Sequence, residues 1–186
     1  MLSKLESYFT PRWAFMIAGG VSAALLGGAH AFENFGGLEP CLLCLEQREI
    51  HWTALTIAFL GTGASFFVSD KRIIAAVLAV LTAVFLWSTI RAGFHAGVEW
   101  DFWDGPMACA GGTPTVDPGN ISLDSLQSSG LAGPPCEVAA WRMLGISMAG
   151  YNALISLALA AFTGAAAWRL VKDVLPAKVE EEGAVS

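Results

Sequence analysis

The chain has 186 residues, of which 55% are apolar and only 14% charged, against about 25% charged in a soluble globular domain. That is too little polar surface for a soluble domain of this length, and the long apolar runs, the lack of an internal repeat and a net charge of −6 exclude disordered, collagen-like and nucleic-acid-binding classes. An integral membrane protein remains, and its four cysteines are the first sign of chemistry.

A helix crossing the hydrocarbon needs about 20 mostly apolar residues. Residues 13–32, 50–68, 73–90 and 143–168 contain no charge and predict an all-α, four-helix membrane bundle with spans over 13–32, 45–68, 73–91 and 143–168. Residues 69–72 form a tight turn that makes the second and third spans an antiparallel hairpin. Residues 33–44 form a short loop and 92–142 a long one. The membrane domain is expected to occupy 1–171, and the segment 172–186, which contains Glu180, Glu181 and Glu182, is expected to be an acidic disordered tail.

Orientation follows from the basic residues. Lys4, Arg12, Lys71, Arg72, Arg169, Lys172 and Lys178 fall on one side of this arrangement, and only Arg48, Arg91 and Arg142 on the other. The excess places both termini in the cytoplasm and the two cysteine-bearing loops outside. Ala29-His30-Ala31, behind Lys4 and Arg12, has the form of a signal-peptidase site. The apolar run before it exceeds the roughly 7–15 residues of a signal peptide, so the first span is expected to be retained. Glycines within the spans point to close helix packing, and Trp13, Trp52, Trp100, Trp103, Trp141 and Trp168 to interfacial belts.

Cys41 and Cys44 form a C-x-x-C directly after Pro40, and a helix beginning near Pro40 is expected because proline suits a first helical turn. Residues i and i+3 are about 5–6 Å apart on one turn, within reach of a disulfide, and a helix N-terminus stabilises a thiolate. Cys109 and Cys136 lie in the long outer loop, separated by a stretch rich in Gly, Pro and Ser. Three readings compete: two structural staples, a zinc site, or a relay from a labile loop disulfide to a pair at the membrane surface. Two staples do not explain a C-x-x-C at a helix mouth. Zinc favours two C-x-x-C knuckles, so no metal is expected. Placement favours the relay.

Gln47, Arg48 and His51 follow Cys44 at i+3, i+4 and i+7 and share its face. Arg48 carries a fixed charge and five donors, suited to a Cys44 thiolate or to a polar oxygen of a lipid-soluble ligand; its bland reading is a snorkelling arginine at a span end. His30 and His95 are expected near the outer ends of the first and third spans, where each could serve a quinone oxygen or a haem, or simply be an interfacial residue. Residues 98–103, with three aromatic side chains, read as an interfacial stretch holding the outer loop at the surface.

With Pro40-Cys41-Leu42-Leu43-Cys44, Arg48, four spans and a later outer cysteine pair, the chain resembles the disulfide bond formation protein B (DsbB) family over essentially its whole length. The resemblance implies a quinone-dependent thiol oxidase of the bacterial inner membrane, with ubiquinone or menaquinone as cofactor and a periplasmic DsbA-like thioredoxin-fold oxidase as partner. It implies that Cys41 and Cys44 are the membrane-proximal redox pair, with Cys44 passing electrons to quinone. Cys109 would form the mixed disulfide with the partner, and Cys136 would be its mate, able to exchange with Cys41. Arg48 corresponds to an arginine associated with quinone, His95 to a family histidine, and Gln47 and His51 complete the expected quinone-binding set. The family carries an acid immediately before the arginine; here Gln47 stands there, with Glu46 one place earlier, so a role for that acid does not carry over. A vitamin K epoxide reductase-like enzyme is the nearest chemical alternative, but its loop pair precedes the C-x-x-C. A non-enzymatic scaffold or haem anchor with structural disulfides is the alternative from another class.

Overall fold

The computed structural model describes residues 11–106 and 134–183, with side chains described as far as residue 174. Four long helices account for most of it: α1 (Pro11–Asn34), α2 (Leu42–Phe67), α3 (Lys71–Glu99) and α4 (Met148–Gly183). All four are long and apolar enough to cross a membrane, in α4 over Met148–Val174. Each packs on its neighbour in sequence, and α4 returns to α1, so the helices close into an up-down-up-down bundle. The end of α1, the start of α2, the end of α3 and the start of α4 therefore meet at one end of the bundle, where Cys41, Cys44 and Cys136 lie.

The bundle is apolar outside and partly polar inside, as expected where lipid replaces water. Phe59, Leu60, Phe66, Phe67, Ile90 and Trp168 are exposed, whereas Ser22, Ser88, Ser156 and Thr163 are buried. Phe15, Leu78, Leu81 and Phe85 fill the centre, with alanines of all four helices around them. Small residues let backbones approach: Ala58 Cβ would lie 3.2 Å from a Cβ added at Gly19, and Phe15 Cε1 would lie 2.5 Å from one added at Gly61. Hydroxyls join α3 to α4, with Thr82 donating to Thr163 at 2.9 Å and Ser88 and Ser156 also 2.9 Å apart.

The helix ends differ from the expected spans in ways that matter for the site. Asp70 caps α3 by accepting from the Arg72 N–H at 2.8 Å, which sharpens the turn from α2. At its other end α3 does not stop near Arg91 but continues for two further turns to Glu99. Phe94 and Val98 there pack with Cys136, and Gly97 lies against the Trp103 ring. Within residues 98–103, Val98 and Glu99 are buried while Trp100, Phe102 and Trp103 are exposed; the Trp103 indole stacks on Phe94 at 5.9 Å and donates to the Phe94 carbonyl at 3.0 Å. Only a glycine at position 97 leaves room for that indole.

Before α4, strands β1 (Arg142–Met143) and β2 (Ile146–Ser147) pair antiparallel across Leu144 and Gly145, both at positive φ (51° and 81°), as a two-residue hairpin turn requires. The fourth helix thus starts at Met148, not Met143. Arg142 donates to the Glu99 carbonyl at 2.7 Å and Ser147 to the Glu99 carboxylate, tying the hairpin to the end of α3. The backbone of α4 stays helical to Gly183, where an irregular tail from Lys172 was expected; alanine, lysine and glutamate are strong helix formers.

Adding a methyl group at Gly61 forces it against the Phe15 ring in the packed centre. Gly61→Ala is expected to destabilise the bundle by about 1–3 kcal/mol, seen as a lower thermal unfolding temperature in detergent, with recovery when Phe15 is also shortened to Leu. Unchanged unfolding of Gly61→Ala would contradict this packing.

Candidate thiol site

Pro40 lies outside α2 and Cys41 is its N-cap, with extended backbone (φ −75°, ψ 171°), so the helix starts two residues later than the proline suggested. The reason is local: the Cys41 sulfur accepts the Cys44 N–H at 3.3 Å, performing the capping role that Ser or Asp usually fills. The same geometry puts the Cys41 and Cys44 sulfurs 2.9 Å apart, with Cys41 donating. Both thiols are free. The hydrogen bond to Cys44 and burial together hold the Cys41 thiol well above the ordinary thiol range, so Cys41 keeps its proton at neutral pH.

Cys136 is disulfide-bonded and buried; Cys109 lies outside the described residues. The Cys136 and Cys41 sulfurs and a His95 ring nitrogen lie within 4.8 Å of one another, although the two cysteines are far apart in sequence. Leu43 and Val98 pack around the cysteines, with Cys44 and Phe94 at the edge. His95 stands inside α3 and is buried, not beyond the span end, because α3 runs on. Its Nε2 is 3.6 Å from the Cys41 sulfur and 3.8 Å from the Glu99 carboxylate.

A chain of buried polar side chains leads from His95 into the bundle. Gln47 Nε2 lies 2.8 Å from His95 Nδ1 and donates to the Leu43 carbonyl at 3.1 Å. Asn152 Nδ2 donates to Gln47 Oε1 at 2.7 Å, and Asn152 Oδ1 is 2.7 Å from His51 Nε2. His51 Nδ1 is 3.4 Å from the Ser22 hydroxyl. Ser156 donates to Asn152 Oδ1 at 3.2 Å. Among the described residues no fully buried side-chain polar atom lacks a partner, which in an apolar interior avoids about 1–3 kcal/mol per group.

Arg48 is mostly buried and pairs with Glu33 of α1, while also donating to the Ala29 carbonyl at 3.3 Å. Its charge is thus compensated in place by Glu33. His30 is half exposed and meets this pair only through Glu33, at 3.6 Å. Cys44, Arg48, Gln47 and His95 line a cavity of about 340 Å³, of the size that takes small organic ligands. Leu25, Phe32 and Ile155 supply apolar wall.

The cysteines, Gln47, Arg48 and His95 singled out by spacing thus come together, except Cys109, whose surroundings are not described. His51 lines the same cavity and is joined to Gln47 through Asn152. Sequence reasoning did not find Glu33, Glu99, Asn152, Ser22, Ser88 or Ser156. A usable signal existed for Asn152, an amide within an otherwise apolar span; single serines carry none.

Comparison with known proteins shows the family. The family described as disulfide bond formation protein DsbB matches residues 11–166. A disulfide bond formation protein B of Methylococcus capsulatus is 30% identical over 159 residues, covering 82% of this chain and 91% of that protein. No solved structure matches.

Because Cys41 is buried and keeps its proton, a thiol alkylating reagent at neutral pH should modify Cys44 first. Mass spectrometry of the partly labelled protein checks this, and a first label on Cys41 would contradict it.

Proposed function

The chain belongs to the DsbB family of disulfide oxidoreductases, and from that premise we propose that it reoxidises a periplasmic DsbA-like thioredoxin-fold protein with membrane quinone as final acceptor. The excess of Lys and Arg at the opposite end of the bundle supports an orientation with both termini cytoplasmic and the thiol end at the periplasmic face of the inner membrane.

The observation that carries the reading is that Cys41 meets Cys136 on one side and Cys44 on the other, with Cys41 and Cys44 at the wall of the cavity. A partner thiolate attacks Cys109 of the Cys109–Cys136 disulfide and releases Cys136 as thiolate. The partner's second thiolate closes its own disulfide and releases Cys109. The Cys136 thiolate attacks Cys41 in an oxidised Cys41–Cys44 pair, and Cys44 leaves as thiolate at the helix N-terminus, where backbone N–H groups favour the charge. Cys109 then attacks Cys136, re-forming the loop disulfide and releasing Cys41. The net result is one disulfide made in the partner and two electrons stored on Cys41 and Cys44.

The cavity residues fit a quinone. A charged donor, Arg48, and a reactive sulfur, Cys44, sit beside apolar wall from α1 and α4, which matches a ring with polar oxygens and a lipid-soluble body. When bound, quinone supplies a two-electron, two-proton acceptor. Cys44 presents its sulfur to that space, Arg48 orients a ring oxygen from its Glu33-anchored position, and the surrounding apolar side chains exclude water.

Purified protein, a reduced thioredoxin-fold substrate and a ubiquinone analogue should together consume quinone absorbance. Cys44→Ser should abolish turnover, Cys109→Ser should block transfer from the protein substrate, and Arg48→His should chiefly raise the quinone concentration required. No quinone consumption by the intact protein would sink the oxidase reading; unchanged quinone dependence in Arg48→His would make Arg48 an anchor only.

A further inference from the structure

The polar chain behind His95 contains two amides, and amides are poor carriers of a relayed proton. What they transmit is direction, because each has one donor end and one acceptor end. The Leu43 carbonyl can only accept, and it takes a hydrogen bond from Gln47 Nε2 at 3.1 Å. That contact orients the Gln47 amide. The same nitrogen faces His95 Nδ1 at 2.8 Å, so Nδ1 must be the acceptor and the ring proton must sit on Nε2. Gln47 Oε1 then accepts from Asn152, Asn152 Oδ1 faces His51 Nε2, and the orientation of every group follows from one backbone carbonyl.

We propose that Gln47, backed by Asn152, is a positioning residue that locks His95 in the Nε2–H tautomer and makes it a fixed hydrogen-bond donor to the Cys41 sulfur. This rests on the thiol-exchange reading above and assigns His95 a definite part in it. The ring nitrogen facing Cys41, 3.6 Å away, carries a hydrogen and does not take the Cys41 proton. It stabilises Cys41 as a leaving thiolate: Cys109–Cys136 bond formation breaks the Cys136–Cys41 bond, and the electron pair goes to Cys41 beside the Nε2–H. The Glu99 carboxylate lies on the same side of the ring, 3.8 Å from Nε2, and the Cys136 backbone is a further hydrogen-bond partner of His95, so the ring keeps its surroundings when Cys41 is not charged.

The test is the tautomer itself. In the full-length protein labelled with ¹⁵N-histidine in detergent micelles, His95 should show the nitrogen shifts of a neutral Nε2–H ring, assigned by loss of the signal in His95→Gln. Gln47→Glu places an acceptor against Nδ1 and should move the proton to Nδ1 or yield a doubly protonated ring. Gln47→Met removes the donor and should give a mixture of tautomers. Release of Cys41 in single-turnover thiol exchange should slow in Gln47→Met in proportion to the fraction of rings that lose the Nε2–H, reaching about tenfold if all do, the effect expected of losing one hydrogen bond to a charged sulfur. A wild-type His95 in the Nδ1–H form overturns the proposal without any variant having to fold. A folded Gln47→Glu protein with an unchanged tautomer overturns it as well. The nitrogen shifts do not depend on quinone consumption, so failure of the oxidase reading and failure of the lock give different results.

Discussion

Three helices meet at the amide of Gln47. Its nitrogen reaches its own helix at Leu43 and α3 at His95, while its oxygen accepts from Asn152 of α4. In water such contacts would exchange readily with solvent. In an apolar interior each group needs a protein partner, and separating the helices would leave several groups unpaired at once. Single interhelical hydrogen bonds in membranes contribute only about 0.6 kcal/mol on average, so this set matters less for total stability than for register. It dictates how α2, α3 and α4 are rotated about their axes, and hence that His95 and the C-x-x-C face one another.

The same end of the bundle shows how backbone and side chain share the work. Cys41 both caps α2 and lies between Cys44 and Cys136. A cap sulfur is held by the helix itself, which fixes the spacing of the pair. Arg48 is held similarly. Glu33 compensates its charge across the α1–α2 boundary, which lets a guanidinium sit mostly buried without the cost of an unpaired ion. The cavity is therefore lined by a rigid donor, where a snorkelling side chain would be a mobile one.

Much of the fold was legible from local properties. Apolar run length marked four helices because crossing lipid demands it, and i, i+3 and i+4 spacing put Cys41, Cys44, Gln47 and Arg48 on neighbouring positions of one helix start. The errors also have local causes. Hydropathy ended α3 at Arg91 because a charge interrupts the run, yet Arg91 pairs with Glu46 of α2 and the helix passes on. His95 consequently moved from a loop position to the buried interior.

The sequence by itself determined the number of helices, the helix-terminal C-x-x-C and the family, since these depend on composition and on residues close together in the chain. Only the tertiary structure decided that Cys136 comes to Cys41, that Glu33 holds Arg48, and that Gln47, Asn152 and His95 join in one hydrogen-bonded set. Those pairings span long stretches of chain and depend on how each helix is rotated when it packs. A periodic apolar pattern constrains that rotation weakly in lipid, where the outside of a helix is as apolar as its inside.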